Sequence, residues 1–566
     1  MSRNPPPQTA FLELSPHPTV HLAFRAMSSF AMSRSLQELE KEAADVKVVP
    51  VNLKDAAPVL SKQAFEEDIL FEEGSIDAVY QAKARVLSSA IREIGMGRYQ
   101  WYLFIVAGFG WFSHNVDCSD SVWPLVASLI LNPVVSEFDV ESSWLSLALN
   151  IGLFVGAVIW ALGCDIWGRR WPFNFTLLIA GVFGLAAGGS NDFVTLASLF
   201  AVVGFGVGGN MPVDSAVFLD FVPGTHQYLL TVLSIWWSVG QLITCLIAWP
   251  IISNFSCPED STTCTRTDNM GWRYLLFALG GLTLLLWAVR FFAFHLEESP
   301  RFLVGRGRDA EAVAVVHRIA TYNGHTSSLT VEQLTSAGEK ASKDAASAAP
   351  GRRVLSEGSS WSTHHIKNLF KTARLAWSTS LLIALWGIIG LASTLYNSFL
   401  PYLLAHRGAK FGDSSYYTTY REEVILGAIG VPSAFVAGWA VEQPYMGRKG
   451  TLAASAGLTG IFLFASTTAR NSYALLGWNC GYAFASKIMY GVLYAISPEV
   501  FPAKDRGTGN GLTATATRIF GIIAPVIALY ANLSTAVPVY VSGALIMGSG
   551  ALALLLPYEP RGKASI

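Results

Sequence analysis

Charged side chains in this 566-residue sequence gather in short clusters at the ends of long apolar segments. The densest cluster is the run DIWGRR, which combines a carboxylate, a glycine able to turn tightly and two guanidinium groups: Asp165, Gly168, Arg169 and Arg170. Arg suits bidentate contact with a carboxylate on a neighbouring helix, and remaking such contacts can bias two global states of a protein. The alternative is a positive anchor at a membrane face.

Similar clusters recur further along the chain, in the runs DFVP, EESPRFL, MGRKG and PEVFPAKDRG. Each one follows an apolar segment, as DIWGRR does. The residues of these runs that could complete such a charged gate are Asp220, Glu298, Arg301, Gly447, Arg448, Glu499 and Arg506.

Asp214 and Lys487 are charged residues inside apolar segments. A charge at mid-bilayer costs about 2.5–3.5 kcal/mol, so it is a functional candidate by default. Asp214 could take up a proton or bind a polar solute, or it could hydrogen-bond between helices. Lys487 could face a cavity or pair with a buried carboxylate. His114 begins a polar block in the first segment, which is either a broken helix at a binding site or an insertion.

Amide and aromatic side chains inside the segments are typical of sites for small polar solutes. The candidates are Asn210, Gln241, Tyr396 and Asn397. The sequence has no phosphate-binding loop, nucleophile elbow or metal-ligand cluster, so we expect no enzymatic activity, cofactor or metal. A net charge of −1 without a basic patch gives no indication of nucleic acid.

Twelve apolar segments must position these residues. Only 14% of the chain is charged, against about 25% in soluble domains. The segments are about 20 residues long or longer, the length that crosses a bilayer as a helix. The sequence therefore predicts an all-α membrane protein with twelve spans, at roughly 101–134, 142–163, 172–189, 194–221, 228–252, 272–296, 377–403, 422–441, 450–469, 473–496, 508–531 and 535–557.

A polar stretch divides the spans six and six. We expect an N-terminal tail (1–97), helical from about Asp77 to Ile94, a first half (98–303), a linker (304–376), a second half (377–557) and a short C-terminal tail (558–566). Lys and Arg collect after the even-numbered spans, which predicts cytosolic termini. Arg266 and Arg273 are the exceptions. The loop that carries them also holds Cys257 and Cys264, which are either a disulfide on the oxidising side or two free thiols.

In the stretches GCDIWGRR, GVGGNMPVD, LEESPRFL and YAISPEVFPAKDRGTG the chain resembles the major facilitator superfamily, in its sugar-porter and synaptic-vesicle-two-related branch. It is similar there to fungal membrane proteins. The resemblance implies two six-helix halves that rock around a central cavity. It also implies a cytosolic gate: Asp165, Gly168, Arg169 and Arg170 with Glu298 and Arg301 in the first half, and Gly447, Arg448, Glu499 and Arg506 in the second.

The chain departs from the branch at four places. Ala161 replaces a glycine before the DIWGRR run, and Glu442 stands five residues before Gly447 rather than three, which predicts a looser or rebuilt second gate. Phe200 replaces an arginine, and the acidic position of the first span falls near His114. That missing Asp–Arg pair serves proton coupling in sugar porters.

These observations favour a monomeric secondary active transporter of a small polar organic solute, coupled to protons, with Asp214 as the titrating group. A facilitative uniporter and a transporter-like receptor that binds without carrying are the alternatives. Either the plasma membrane or an internal vacuolar or vesicular membrane fits the sequence.

Overall fold

Helices make up most of the part of the chain that the structure describes. The computed structural model describes residues 77–113, 122–140, 143–257, 264–348, 364–406, 416–530 and 537–563. These residues form twenty α-helices and no β-strand, which confirms the all-α prediction.

The first half contains nine of these helices and ends in a short π-helical turn, Val289–Ala293. The helices are α2 (Arg98–Ser113), α3 (Val122–Leu129), α4 (Leu131–Phe138), α5 (Ser143–Ile166), α6 (Arg170–Ala187), α7 (Phe193–Phe221), α8 (Leu229–Val232), α9 (Ile235–Phe255) and α10 (Gly271–Ala288).

The second half contains six helices: α15 (Ala373–His406), α16 (Tyr416–Val441), α17 (Gly447–Ser466), α18 (Ser472–Val500), α19 (Arg506–Tyr530) and α20 (Val537–Ala553). Five further helices lie outside the two halves: α1 (Ala78–Ile94), α11 (Pro300–Gly305), α12 (Asp309–Tyr322), α13 (Val331–Ala348) and α14 (His364–Asn368).

Seven helical segments of the described chain are long and apolar enough to cross a membrane: α5, α6, α7, α8 with α9, α10 with its π turn, α15 and α16. The other predicted spans do not reach this length and apolar character, for physical reasons. Helix α20 has only 17 residues, and α17, α18 and α19 carry glycine, hydroxyl and charged residues within their length. The first span is divided into α2, α3 and α4, and residues 114–121, including His114, lie outside the described part.

The segments on either side of the first half are helical and pack together. Helix α1 spans the residues expected from the sequence and is capped by Asp77, whose carboxylate accepts from Val79 N at 3.1 Å. The Lys83 ammonium contacts Asp309 at 2.5 Å and ties α1 to α12. Much of the linker region therefore contributes structure of its own, in α12 and α13.

Arg273 has a partner within its own half. This arginine lies at the end of the bundle opposite to the one where most Lys and Arg residues are found. Its guanidinium makes a two-point contact with Glu137, at 2.7 and 2.9 Å, and lies over the ring of Trp272. The buried arginine is therefore held by an ion pair within the first half. Near it, Cys257 and Cys264 form a disulfide.

Small residues let α5 and α7 pack backbone against backbone. Gly152 and Gly156 on α5 face Gly204 and Gly208 on α7, and a Cβ atom at any of the four would collide with a backbone carbonyl of the other helix. This reciprocal small-xxx-small arrangement is how helices approach closely without a hydrophobic driving force in lipid.

We expect Gly204→Leu to separate α5 from α7 and to lower the thermal stability of the detergent-purified protein by several degrees, because the added side chain has no space. Gly457→Leu is the matched control, since nothing lies within 4 Å of a Cβ at that glycine. Equal melting temperatures for the two variants would show that this packing does not stabilise the fold.

Candidate functional site

Asp220, at the end of α7, is the centre of a buried charged cluster. Its carboxylate contacts Arg169 Nε at 2.6 Å and Arg506 Nη1 at 2.9 Å, and accepts a hydrogen bond from Ser299 Oγ at 2.6 Å. Arg169 precedes α6, whereas Arg506 begins α19 in the second half. One carboxylate therefore joins guanidinium groups from both halves, and its side chain is fully buried.

Asp165, at the end of α5, caps α19 across the same boundary. It accepts from the Thr508 backbone N at 2.7 Å, from Thr508 Oγ1 at 3.0 Å and from Gly507 N at 3.2 Å. Unpaired N–H groups and the helix dipole make a helix N-terminus a favourable place for a carboxylate. Arg169 adds a bond from Nη2 to Ala503 O at 2.7 Å. We call Asp165, Arg169, Asp220, Glu298 and Arg506 the charged cluster.

Glu298 fixes the start of α6. Its carboxylate accepts from the backbone N–H of Arg169 at 2.9 Å and of Arg170 at 3.4 Å. Gly168 allows this turn because its φ of +97° lies in the left-handed region. The Arg170 side chain itself is exposed.

Glu559 repeats this device in the second half. It accepts from the backbone N–H groups of Arg448 and Lys449, at 2.9 and 3.2 Å, after Gly447 has turned the chain with a φ of +59°. Sequence reasoning missed Glu559, which lies more than a hundred residues away in the C-terminal segment. The repeated turn after a glycine was the signal that could have found it.

The residues that the sequence assigns to the second gate are bound to one another. The Arg448 guanidinium donates to Glu499 at 3.0 and 3.2 Å and to Glu442 at 3.0 Å, so Glu442 reaches the arginine despite its longer spacing from Gly447. Arg301, in turn, donates to Ser88 Oγ at 3.3 Å and links the segment after the sixth span to α1.

A second connection to the cluster comes from α14. His365 Nδ1 lies 2.6 Å from the carboxylate of Asp505, the residue before Arg506, and Asn368 donates to the same carboxylate at 3.2 Å. The hydrogen bond to Asp505 raises the pKa of His365 above its ordinary value. Asp505 therefore stabilises the protonated, positively charged form of His365.

Asp214 lies apart from the charged cluster and is fully buried. It forms an ion pair with Arg290 of the π turn, and the Arg290 guanidinium packs over the ring of Phe173. Space for the carboxylate exists because Gly110 on α2 has no side chain. Sequence reasoning missed Arg290, although a lone arginine in an apolar segment was a visible signal.

Lys487 and Gln241 meet at the boundary between the halves. Lys487 Nζ donates to Gln241 Oε1 at 2.6 Å and to Ser238 Oγ at 3.3 Å, and Gln241 Nε2 donates to Glu423 at 3.1 Å. A buried cation of the second half is thus bound to an amide of the first. Glu423, on α16, is a further intramembrane carboxylate that the sequence reading missed.

The remaining amide candidates lie in separate places. Asn210 donates to Ser113 Oγ at 2.7 Å, between α7 and α2, and Tyr396 donates to Asn479 Oδ1 at 3.3 Å, between α15 and α18. The structure does not bring these two pairs together with Lys487. Asn397 lies on α15, but its side chain is outside the described part of the chain, as is all of His114.

Aromatic rings from both halves meet at the middle of the bundle. Trp111 stacks on Trp237 at 4.9 Å between centroids, and the Tyr494 ring contacts Trp237 at 5.0 Å and Trp386 at 4.4 Å. A small cavity between the halves is lined by Trp386, Tyr494 and Arg518 among others. Sequence reasoning listed none of these three, because single aromatic residues in a span are usually packing.

The Asp214–Arg290 pair yields a prediction for double substitution. We expect Asp214→Asn to destabilise the protein by about 3–5 kcal/mol, because it leaves a buried arginine without its counter-charge. Arg290→Gln should cost a similar amount, and the double variant should cost less than the sum of the two. Thermal unfolding of the purified variants measures this coupling. Additive losses would mean that the two residues do not stabilise the fold as a pair.

Comparisons with known proteins agree with this architecture. Residues 95–558 match the family model described as sugar (and other) transporter. The chain is 74% identical to MFS siderochrome iron transporter 1 of Ceriporiopsis subvermispora, over 90% of this chain and 97% of that one. It is 48% identical to an uncharacterised MFS-type transporter of Schizosaccharomyces pombe, over 95% and 98%.

The structure of the proton:xylose symporter XylE bound to 6-bromo-6-deoxy-D-glucose superimposes with a TM-score of 0.62 at 17% identity, covering 82% of this chain and 98% of that one. This likeness confirms the predicted fold of twelve spans in two six-helix halves. The family consists of transporters rather than enzymes, and its members cross the membrane many times. The chain belongs to the major facilitator superfamily of membrane transporters, in the sugar (and other) transporter family.

Proposed function

We propose that the chain is a monomeric secondary active transporter that moves a small polar organic solute, of the sugar, polyol or organic acid type, by alternating access coupled to protons. The observation that carries the proposal is the charged cluster, in which Asp220, Asp165 and Arg169 of the first half bind Arg506, Thr508 and Ala503 of the second. Hydrogen bonds and ion pairs of this kind can exchange their partners for water when the halves separate, and can re-form when the halves return.

The orientation follows from the same cluster. Lys and Arg are concentrated at this end of the bundle, so we place it, together with both termini, on the cytosolic side. In this conformation the cluster closes the cytosolic end, and the solute site is the cavity between the halves.

Proton coupling is proposed because carboxylates inside a membrane are costly and mark ion or proton pathways. Asp214 remains the proposed proton carrier. The Arg290 partner determines how that role must be tested, because loss of transport in Asp214→Asn alone could reflect the unpaired arginine. The informative variant is Asp214→Asn with Arg290→Gln, which should carry solute down its gradient but fail to accumulate it against one.

A second candidate substrate is a siderochrome. Its support is the relative at 74% identity, whose name is that of a siderochrome iron transporter. The iron chelate would be cargo and not a resident cofactor.

The functional test is uptake into proteoliposomes that hold the full chain, with and without an inward proton gradient. Xylose, a polyol, a monocarboxylic acid and a ferric siderochrome form the panel. We expect saturable uptake of one class that collapses with a protonophore. Flux that ignores the proton gradient would identify a uniporter, and binding without flux a receptor.

The gate role predicts the effect of Asp220→Asn. Of the two charged contacts that the substitution removes, the one to Arg506 crosses between the halves and is worth about 1.5–3 kcal/mol, so the closed cytosolic end should open about 10–100 times more often. Backbone amide hydrogen exchange at Gly507 and Thr508, which Asp165 protects, reports this opening. We expect it to accelerate by the same factor.

Asp192→Asn, at the other end of the same helix, is the matched control, because Asp192 caps α7 and its carboxylate accepts from Thr195 in the first turn of that helix. Exchange at 507 and 508 should be unchanged in that variant. Equal exchange rates at Gly507 and Thr508 in Asp220→Asn and in the unsubstituted protein would mean that the charged cluster does not act as a gate.

A further inference from the structure

Two carboxylates meet at the first turn of α19. Asp165 of the first half accepts from the backbone N–H groups of Gly507 and Thr508. Asp505 directly precedes the helix, and its carbonyl accepts from Gly509 N at 3.0 Å. Both aspartates are buried, with 3% and 4% of their surfaces exposed, and their charges repel one another. A helix N-terminus attracts a carboxylate, but two like charges at one N-terminus favour a cation beside them.

His365 of α14 is such a cation when its ring is protonated. Its Nδ1 lies 2.6 Å from Asp505 Oδ1, and the charge of Asp165 attracts the protonated ring from across the boundary. Lys504, beside Asp505, repels the protonated ring. On α14 itself, Lys367 is exposed to water. The protonated ring therefore faces two carboxylates, one at each side of the boundary between the halves, and one ammonium group.

Contacts that do not involve the histidine proton also hold α14 in place. Asn368 donates to the Asp505 carboxylate at 3.2 Å. The Leu369 side chain is fully buried, and the Leu369 carbonyl accepts from Thr379 Oγ1 of α15 at 3.0 Å. Loss of the proton from His365 therefore changes the charge beside α19, while the helix that carries the histidine stays attached.

The sign of the pH effect follows from the partners of His365. The hydrogen bond to Asp505 raises the pKa of His365 above its ordinary value of about 6.5. A raised pKa means that the charged form stabilises the closed arrangement below the ordinary value, and that this contribution is lost as the pH rises through the raised one. In the proposed gate, the part of it that comes from Asp165 exists only while the halves are together. Acid therefore favours the closed cytosolic end, and a rising pH weakens it.

We propose that His365 is a positioning residue of the cytosolic gate. Its protonated ring neutralises Asp505 and Asp165 at the start of α19, and its deprotonation lets the two carboxylates repel each other, so that the halves separate more often. The proton on this histidine follows the pH of the cytosol and is not carried across the membrane. This inference rests on the proposed function, because it uses the gate and the orientation given there, and it adds a regulation of that gate.

The test measures backbone amide hydrogen exchange at Gly507 and Thr508 in the purified full chain in nanodiscs, at about pH 6 and about pH 9, on either side of the ordinary histidine range. Each rate is divided by the intrinsic exchange rate at that pH, so that the direct effect of pH on exchange cancels. We expect protection to fall about two- to fivefold between the two pH values, the size of a partly screened interaction between charges. His365→Gln should show the lower protection at both pH values, and His365→Lys the higher protection at both.

Two further variants exclude a merely structural effect. Asn368→Ala removes a bond to Asp505 but no titrating group, so it should keep the ratio of protection between the two pH values. His325→Gln, which replaces an exposed histidine after α12, is the matched control and should exchange as the unsubstituted protein does. The same ratio in His365→Gln as in the unsubstituted protein, or no pH dependence in the unsubstituted protein, would overturn the proposal.

Asp220→Asn separates this inference from the gate on which it rests. If Asp220→Asn accelerates exchange but His365→Gln keeps the full pH dependence, the gate stands and the role of His365 is wrong. If Asp220→Asn leaves exchange unchanged, the gate itself is wrong, and the regulation proposed for it falls as well.

Discussion

The carboxylate of Asp220 is the interaction on which the charged contact between the two halves depends. It receives Arg169 from its own half and Arg506 from the other, in a place that water does not reach. Removing charges from water is expensive, so each of these groups is stable only while the others stay in position. In the gate that we propose, such a boundary favours two states. In the closed state every charged group is paired, and in the open state every charged group is hydrated. Intermediate separations would strand buried charges, and this favours a two-state change over gradual loosening.

In both halves, a glutamate binds the backbone N–H groups at the start of an inner helix. A glycine in the left-handed region stands just before a helix or begins it, an arginine follows that glycine, and a distant glutamate accepts the exposed N–H groups: Glu298 in the first half and Glu559 in the second. Each glutamate comes from the segment that follows the last span of its half. The chain that leaves each half is thereby bound to the start of a helix in the middle of that half.

Sequence reasoning predicted the helices well because a bilayer demands long apolar segments and leaves few alternatives. It also predicted the residues of the charged cluster, since charges at the ends of spans stand out against an apolar background. It did not predict the partner of Asp214, which lies apart from that cluster. Arg290 comes from the sixth span and closes on Asp214 of the fourth through a π turn, and no sequence period reveals such a turn.

The same limit applies to the cavity. Arg518 is a single charge in a segment rich in Gly, Ala and Thr, and Trp386 and Tyr494 resemble ordinary packing residues until the two halves are brought together. Ala161 likewise stands where the family has a glycine. Gly511 of α19 lies opposite Ala161, and this glycine leaves the space that the alanine side chain occupies. Helices α5 and α19 therefore still approach each other closely. Compensation of this kind is visible only in three dimensions.

The polar contacts between the halves occur at more than one depth, and their chemistry differs. At the cytosolic end, as we propose, complete ion pairs join the halves, whereas near mid-membrane the joint between Lys487 and Gln241 sets a cation against a neutral amide. Glu423 of the second half accepts a hydrogen bond from the same amide at 3.1 Å. Gln241 of the first half is therefore bound by an ammonium and by a carboxylate of the second. A neutral amide can exchange such partners without leaving a charge of its own buried, whereas Asp220 cannot leave Arg506 without separating two buried charges. The two depths therefore differ in what a separation of the halves costs.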